Sequence, residues 1–186
     1  MRLIRVCPLV VLLLLLNSAT AFAQSSAAQS FSRLKTLVGS WSGERSDGTP
    51  VQVSFRSTGA GSALVSELIA GHGNSEDMIS VFHLDGEILL VTHYCTAGNQ
   101  PRMKAAASPD GKIISFNFFD ATILASLNGG HMQSLVIALL DADHHSETWT
   151  FMDHGKMATE VLRLSRARIA TPVKALARTE RATQKI

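Results

Sequence analysis

The residue types best suited to chemistry gather near the middle of the chain, where an apolar run ends in polar side chains. This group comprises His93, Tyr94, Cys95, Asn99 and Arg102. Side chains alternate between the two faces of a strand, so His93 and Cys95 would share one face while Tyr94 lies on the other. If the His93 face points inward, these polar groups can hydrogen-bond the head group of a ligand. A purely structural turn is the alternative.

The same group permits a third interpretation, a Cys/His nucleophile pair. Residues two apart on a strand are separated by roughly 6.5 to 7 Å along the backbone, which is long for the hydrogen bond that such a pair needs. The sequence contains no complete catalytic motif. An enzyme, either a hydrolase or an isomerase, would use His93 or His131 as its general base.

A second set of polar residues lies on later strands. It comprises Asn117, His131 and Gln133, with Trp149 on the following strand. His131 and Gln133 are two apart and so are predicted to share a face. A barrel interior lined by these side chains and Glu147 would be amphipathic and would suit a ligand with one polar end. The alternative is that they form the solvent side of the strands.

Histidines at other positions do not predict a metal site. His144 and His145 are adjacent, so regular β geometry directs them to opposite faces and they cannot both bind one ion. Asp141 and Asp143 are expected to be solvated in a hairpin loop. Trp149 shares a face with His145 and is expected to lie in the core or in a pocket wall.

The hydrophobic pattern predicts one short helix followed by ten strands. Phe31, Leu34 and Leu37 recur at helical spacing before Gly39. The later pattern changes to short β-type runs broken by turn signals every 8 to 12 residues or so. The predicted strands are 40–46, 51–57, 62–70, 77–84, 87–95, 102–107, 112–119, 131–140, 145–153 and 157–165. Consecutive hairpins of this kind predict an all-β fold, an antiparallel up-and-down barrel of about ten strands with an interior that can hold a ligand.

The 186 residues are predicted to divide into four parts, one of which is the single folded domain. Arg2 and Arg5 precede an apolar run that ends at Ala21-Phe22-Ala23, which predicts a signal peptide over 1–23 and a secreted or periplasmic protein. The remaining parts are a linker over 24–30, a barrel over 31–166 and a basic, disordered tail over 167–186. No further run is apolar enough for a transmembrane helix. The stretch 120–130 is predicted to form a short helical turn and a glycine-rich loop.

Charge is unevenly distributed along the chain. Residues 24–165 carry nine basic and fourteen acidic side chains, whereas the chain from Arg166 onward carries six basic and one acidic. An acidic body does not suit a protein that binds nucleic acid through a basic face. The basic tail could make a weak contact with an anionic membrane surface or an acidic partner.

The helix that runs into Gly39-Ser40-Trp41-Ser42-Gly43 resembles the first segment of the calycin barrels, which include lipocalins, fatty-acid-binding proteins and nitrobindin-like haem barrels. In those families a Gly-x-Trp on the first strand closes one end of the barrel and a basic residue near the last strand packs over the indole. Arg163 or Arg166 could do so here. The nitrobindin-like pattern usually continues with a glycine at the position of Arg45.

This resemblance, together with the strand succession, implies a barrel that binds a small apolar or amphipathic molecule. The chain also resembles secreted bacterial calycin-like proteins without an assigned activity. The expected function is therefore ligand binding in a barrel cavity. The alternatives are the barrel enzyme described above and a haem-binding, nitrobindin-like barrel; no other cofactor is expected.

Overall fold

A computed structural model describes residues 25–70 and 78–167 of the chain. One helix, α1 (Ser26–Leu34), and a 3-10 turn (Lys35–Leu37) precede ten strands. The strands are β1 (Gly39–Arg45), β2 (Pro50–Thr58), β3 (Ala63–Ala70), β4 (Met78–Asp85), β5 (Ile88–Tyr94), β6 (Gln100–Ala107), β7 (Ile113–Thr122), β8 (His131–Leu139), β9 (His144–Asp153) and β10 (Lys156–Arg166). The predicted signal peptide and almost all of the predicted tail lie outside the described residues.

The ten strands form a closed antiparallel barrel in chain order, so the all-β prediction is confirmed. Each strand pairs with its neighbours in sequence, and β1 also pairs with β10. Closure matters because an open meander would leave the backbone N–H and C=O groups of two edge strands without partners. We call the barrel end at which β1 begins the closed end and the opposite end the open end.

The helix begins earlier than predicted. Residues 26–30, expected to be part of a linker, form the first turns of α1. The side chain of Ser25 accepts a hydrogen bond from the backbone N–H of Ala28 and so caps the helix N-terminus. Phe31, Leu34 and Leu37 are buried in the main hydrophobic core, as their spacing predicted. The helix packs against β4, β5 and β6.

The segment between β7 and β8 also differs from the prediction. Residues 120–122 extend β7 by pairing with Gln100–Arg102, and residues 123–130 form turns and bends without helix. Strand pairing at 120–122 and turns over 123–130 therefore take the place of the predicted helical turn. Among the described residues, no helix is long and apolar enough to span a membrane.

The seam between β1 and β10 is unusually close at Gly43. A Cβ atom added there would lie 1.8 Å from the carbonyl oxygen of Arg163, so only glycine permits the two strands to approach. Near the closed end of the same seam, Trp41 pairs in register with Arg166. Trp41 is almost fully buried, and its Nε1 donates to the carbonyl of Leu37.

Arg166, rather than Arg163, covers the indole. Its guanidinium carbon lies 4.2 Å from the centroid of the Trp41 ring. The same group donates hydrogen bonds to three backbone carbonyls, those of Thr36, Val38 and Ala142. Arg166 therefore ties the end of β10 to the segment between α1 and β1 and to the β8–β9 turn.

Replacing Arg166 with methionine should lower the free energy of unfolding by about 2 kcal/mol, because the cation-π contact and the charged hydrogen bonds are lost together. Urea unfolding followed by circular dichroism measures this change. Arg163→Met is the matched control, since Arg163 is exposed on the same strand, and should change stability by less than about 0.5 kcal/mol. Equal effects of the two substitutions would contradict the assignment of Arg166.

Candidate functional site

The open end of the barrel contains a cavity with two adjoining parts. The outer chamber has a volume of about 450 Å³ and the inner chamber about 50 Å³. Both are lined by Met78, Met132, Trp149 and Glu160, so the two spaces share walls. Both chambers have mainly apolar walls, and the inner chamber also contains five polar or charged side chains: Arg45, Ser66, Ser80, His93 and Glu160.

His93 is the most distinctive group in the inner chamber. It is 1% exposed and lies on the inward face of β5. Its Nδ1 lies 2.9 Å from the hydroxyl oxygen of Ser80, while its Nε2 is buried without a hydrogen-bond partner. Burial lowers the pKa of His93 to about 4, so the ring is neutral near pH 7. A neutral imidazole with one nitrogen held and the other unpartnered is suited to bind a polar group.

An ion pair forms another part of the inner chamber. The Nη1 atom of Arg45 lies 3.1 Å from Oε2 of Glu160. The Nε of Arg45 is buried without a hydrogen-bond partner. Arg45 follows Trp41 and Gly43 at even spacing on β1, which is why it shares their side of the strand. The guanidinium charge is thus compensated, yet one of its donors is left unused.

A column of buried side chains on β9 connects this site with the closed end. His145 packs edge-on against Trp41, with ring centroids 4.3 Å apart. Glu147 lies 3.2 Å from the Nε2 of His145 and accepts a 2.9 Å hydrogen bond from the Nε1 of Trp149. The Trp149 ring in turn lies 4.9 Å from the ring of His93. Glu147 therefore fixes the orientation of the indole that forms the chamber wall.

Three of the residues predicted to bind a ligand line the cavity. His93 lines the inner chamber, Cys95 lines the outer chamber, and Trp149 lines both. Cys95 is half-buried and carries a free thiol. The predicted common face of His93 and Cys95 therefore does point inward.

Tyr94, Arg102 and Asn117 lie outside the cavity and are exposed. Alternation directs Tyr94 outward once His93 points inward. Arg102 makes a bidentate ion pair with Asp120 on the outer surface, with its guanidinium 5.9 Å from the Phe119 ring. Arg102 pairs in register with Thr92 on the outer face, so it does not contribute to the cavity as predicted.

Asn99, His131 and Gln133 shape the loops at the open end and do not line either chamber. The Asn99 amide donates to the carbonyl of Gly130, and His131 hydrogen-bonds the carbonyl of Gly129 and the side chain of Gln133. A β-bulge between Met132 and Ser134 breaks the alternation of β8. Met132 therefore lines the cavity where Gln133 was expected.

Sequence reasoning missed most of the cavity walls. The missed residues include Arg45, Met78, Ser80, Met132 and Glu160. Even spacing from Trp41 could have placed Arg45 inward, and spacing from the buried Leu162 could have done so for Glu160. No local signal marks Met132, because its direction depends on the bulge.

A further depression of about 460 Å³ lies outside the barrel, between α1 and the β4–β5 and β6–β7 turns. None of its lining residues has a buried, unpartnered side-chain polar atom. The described residues also contain no cluster of three or more His, Cys, Asp or Glu side chains that could hold a metal ion. The open-end cavity is therefore the stronger candidate site.

Acid should destabilise the protein through His93. The folded-state pKa of about 4 lies below the ordinary value of 6.5, so the unfolded chain binds a proton first as pH falls. The contribution of His93 is fully present above pH 6.5 and is lost between pH 6.5 and 4, by at most about 3 kcal/mol.

Urea unfolding of the wild type and of His93→Gln at several pH values in this range measures the effect. The difference in stability between the two proteins should change with pH. His83→Gln is the control, since it removes a histidine that lines neither chamber, and it should reproduce the pH profile of the wild type. Parallel profiles for the wild type and His93→Gln would contradict the prediction.

Comparison with known proteins supports the fold. No protein-family model and no curated protein matches the chain. The crystal structure of Rv2717c from M. tuberculosis is similar, with a TM-score of 0.57 and 16% sequence identity, over 76% of this chain and 99% of that one. A protein with unknown function from the DUF3598 family of Nostoc punctiforme PCC 73102 gives a TM-score of 0.46 and 13% identity, over 72% of this chain and 49% of that one. At 16% identity, the likeness to Rv2717c concerns the fold alone.

Proposed function

We propose that this protein binds a small amphipathic molecule in the open-end cavity, with the apolar part in the outer chamber and the polar end beside His93. The observation that carries the proposal is the unpartnered Nε2 of a nearly fully buried histidine in the wall of a cavity. A buried polar atom without a partner costs about 1 to 3 kcal/mol, and a ligand that hydrogen-bonds it removes this cost.

The walls of the outer chamber suit the apolar part of such a ligand. Met78, Met132 and Phe151 contribute large apolar side chains, and Trp149 adds an indole at the boundary with the inner chamber. Methionine side chains are flexible and adapt to the shape of a bound molecule. A cavity of about 450 Å³ lies within the range typical of small-molecule sites.

The hydrogen bond between Ser80 and His93 indicates whether Nε2 of His93 donates a hydrogen bond to the ligand or accepts one from it. If the Ser80 hydroxyl donates to Nδ1, both groups are satisfied at that contact and the ring proton resides on Nε2. The opposite arrangement leaves the serine hydrogen buried without an acceptor. The first arrangement is therefore the more favourable, and it presents an N–H donor to the ligand.

The geometry favours binding over catalysis. A general base works best when its pKa lies near the operating pH, and the pKa of His93 is held far below 7 by burial. His131, the other base considered, uses both ring nitrogens in hydrogen bonds and does not line the cavity. Neither histidine therefore has the setting of a general base.

A haem at His93 fits the present side chains poorly. The histidine supplies a suitable ligand atom in Nε2, but the inner chamber measures only about 50 Å³ and Arg45 shares it. The Trp149 ring, 4.9 Å from the imidazole, also lies where a flat macrocycle would need space. The side chains around His93 therefore do not fit a haem group.

Filling the outer chamber should weaken ligand binding. Ala158 lines this chamber opposite Phe151, so Ala158→Trp should place an indole in the space and reduce affinity at least tenfold. Met157→Trp is the matched control, because Met157 is 64% exposed and does not line the cavity. Titration with an uncharged fluorescent probe, such as a dansylated alkyl chain, measures both affinities. Equal affinities in the two variants would contradict the proposal.

From the sequence we also propose that the protein is exported through the signal peptide over 1–23 and that the basic tail contacts an anionic surface. The support is the leader pattern and the excess of basic residues from Arg166 onward.

Deleting residues 170–186 should weaken sedimentation with vesicles that contain phosphatidylglycerol, because the deletion removes four of the six basic residues from Arg166 onward together with the one acidic residue. The effect should be largest at low ionic strength, where screening is weak. Phosphatidylcholine vesicles are the control. Unchanged sedimentation of the shortened chain with anionic vesicles would contradict the proposed contact.

A further inference from the structure

We infer that the inner chamber selects ligands whose polar end is uncharged and small, such as a hydroxyl or a carbonyl group, and rejects carboxylates, phosphates and ammonium groups. This inference rests on the proposed function and specifies the class of ligand that the same cavity takes. It follows from the charges, the free hydrogen-bonding atoms and the volume of the inner chamber.

The charge of the inner chamber is internally compensated. Arg45 is paired with Glu160 at 3.1 Å, so neither group is left to neutralise a charged ligand. His93 adds no charge near neutral pH. Glu147 lines neither chamber, and its carboxylate already hydrogen-bonds the Trp149 N–H and His145. A charged head group would therefore lose its hydration without gaining an unpaired counter-charge.

The free hydrogen-bonding atoms favour an acceptor. The two buried, unpartnered atoms among the chamber-lining side chains are Nε2 of His93 and Nε of Arg45. Arginine only donates, and the favoured tautomer of His93 also donates from Nε2. An oxygen with lone pairs, as in an alcohol, aldehyde, ketone or ester, accepts from such donors.

An anion would also accept from these donors, but Glu160 already neutralises the charge of Arg45 at 3.1 Å. The anion therefore gains hydrogen bonds without a net counter-charge for the hydration that it loses. An ammonium group can use neither donor, because it has no acceptor.

The size of the inner chamber also limits the polar end. Its volume of about 50 Å³ is roughly one ninth of the 450 Å³ of the outer chamber, so the part of a ligand that reaches His93 must be small.

Three probes with the same alkyl chain test the inference: decan-1-ol, decanoate and decylammonium. Isothermal titration calorimetry at pH 7 with the full chain should show decan-1-ol binding at least tenfold more tightly than either ion. Binding of either ion as tightly as the alcohol would overturn the inference while leaving the proposed function intact. If no probe binds, the proposed function fails, and the selectivity fails with it.

Charge substitution gives a second, independent test. Glu160→Gln leaves Arg45 without its counter-charge, so decanoate affinity should rise at least tenfold while decan-1-ol affinity changes little. Glu67→Gln is the matched control, since Glu67 pairs with Arg56 on the exposed surface. An unchanged affinity for decanoate in Glu160→Gln, in a protein that keeps its circular dichroism spectrum, would overturn the role given to the ion pair.

A final variant tests the histidine. His93→Phe keeps a ring of similar shape but removes the donor, so decan-1-ol affinity should fall about tenfold while decylammonium affinity stays the same. Equal losses for the alcohol and the ammonium probe would indicate a change of cavity shape and would overturn the assignment of Nε2 as the head-group donor.

Discussion

The pairing of β1 with β10 is the constraint on which the rest of the structure depends. Without this seam the meander is an open sheet, and the open-end cavity has no enclosing wall. Gly43 permits the strands to approach, and Arg166 fastens the closed end through the Trp41 ring and three carbonyl groups. The paired residues of the seam are 117 to 125 positions apart in the chain, so a long loop must close before this pairing can form.

The closed end and the candidate site are linked by contact through the barrel interior. Trp41 packs on His145, Glu147 bridges His145 to Trp149, and Trp149 packs on His93. Buried polar groups are tolerated when their hydrogen bonds are satisfied, and this column satisfies both carboxylate oxygens of Glu147. Nδ1 of His145 in this column and Nε2 of His93 are both buried without a partner, but of the two only the His93 nitrogen belongs to a residue that lines the cavity, which is why it indicates a site rather than ordinary core packing.

The local sequence pattern predicted most of the architecture, because side chains along a β-strand alternate with a period of two residues. All ten strands, the common inward face of His93 and Cys95, and the helical spacing of Phe31 and Leu34 follow from it. The pattern failed where a non-periodic contact intervened. The Ser25 cap extended the helix toward the N-terminus, and the Asp120 region joined β7 because strand pairing with β6 was available.

The sequence by itself determined the fold class, the number of strands and the alternation of side chains along each of them. These depend on residue types within a few positions of one another. Only the tertiary structure decided which residues form the cavity. The bulge in β8 brought Met132 to the wall, the ion pair with Asp120 kept Arg102 outside, and closure of the barrel placed Arg45 and Glu160 beside His93. Each of these outcomes depends on contacts between strands, which no local pattern encodes.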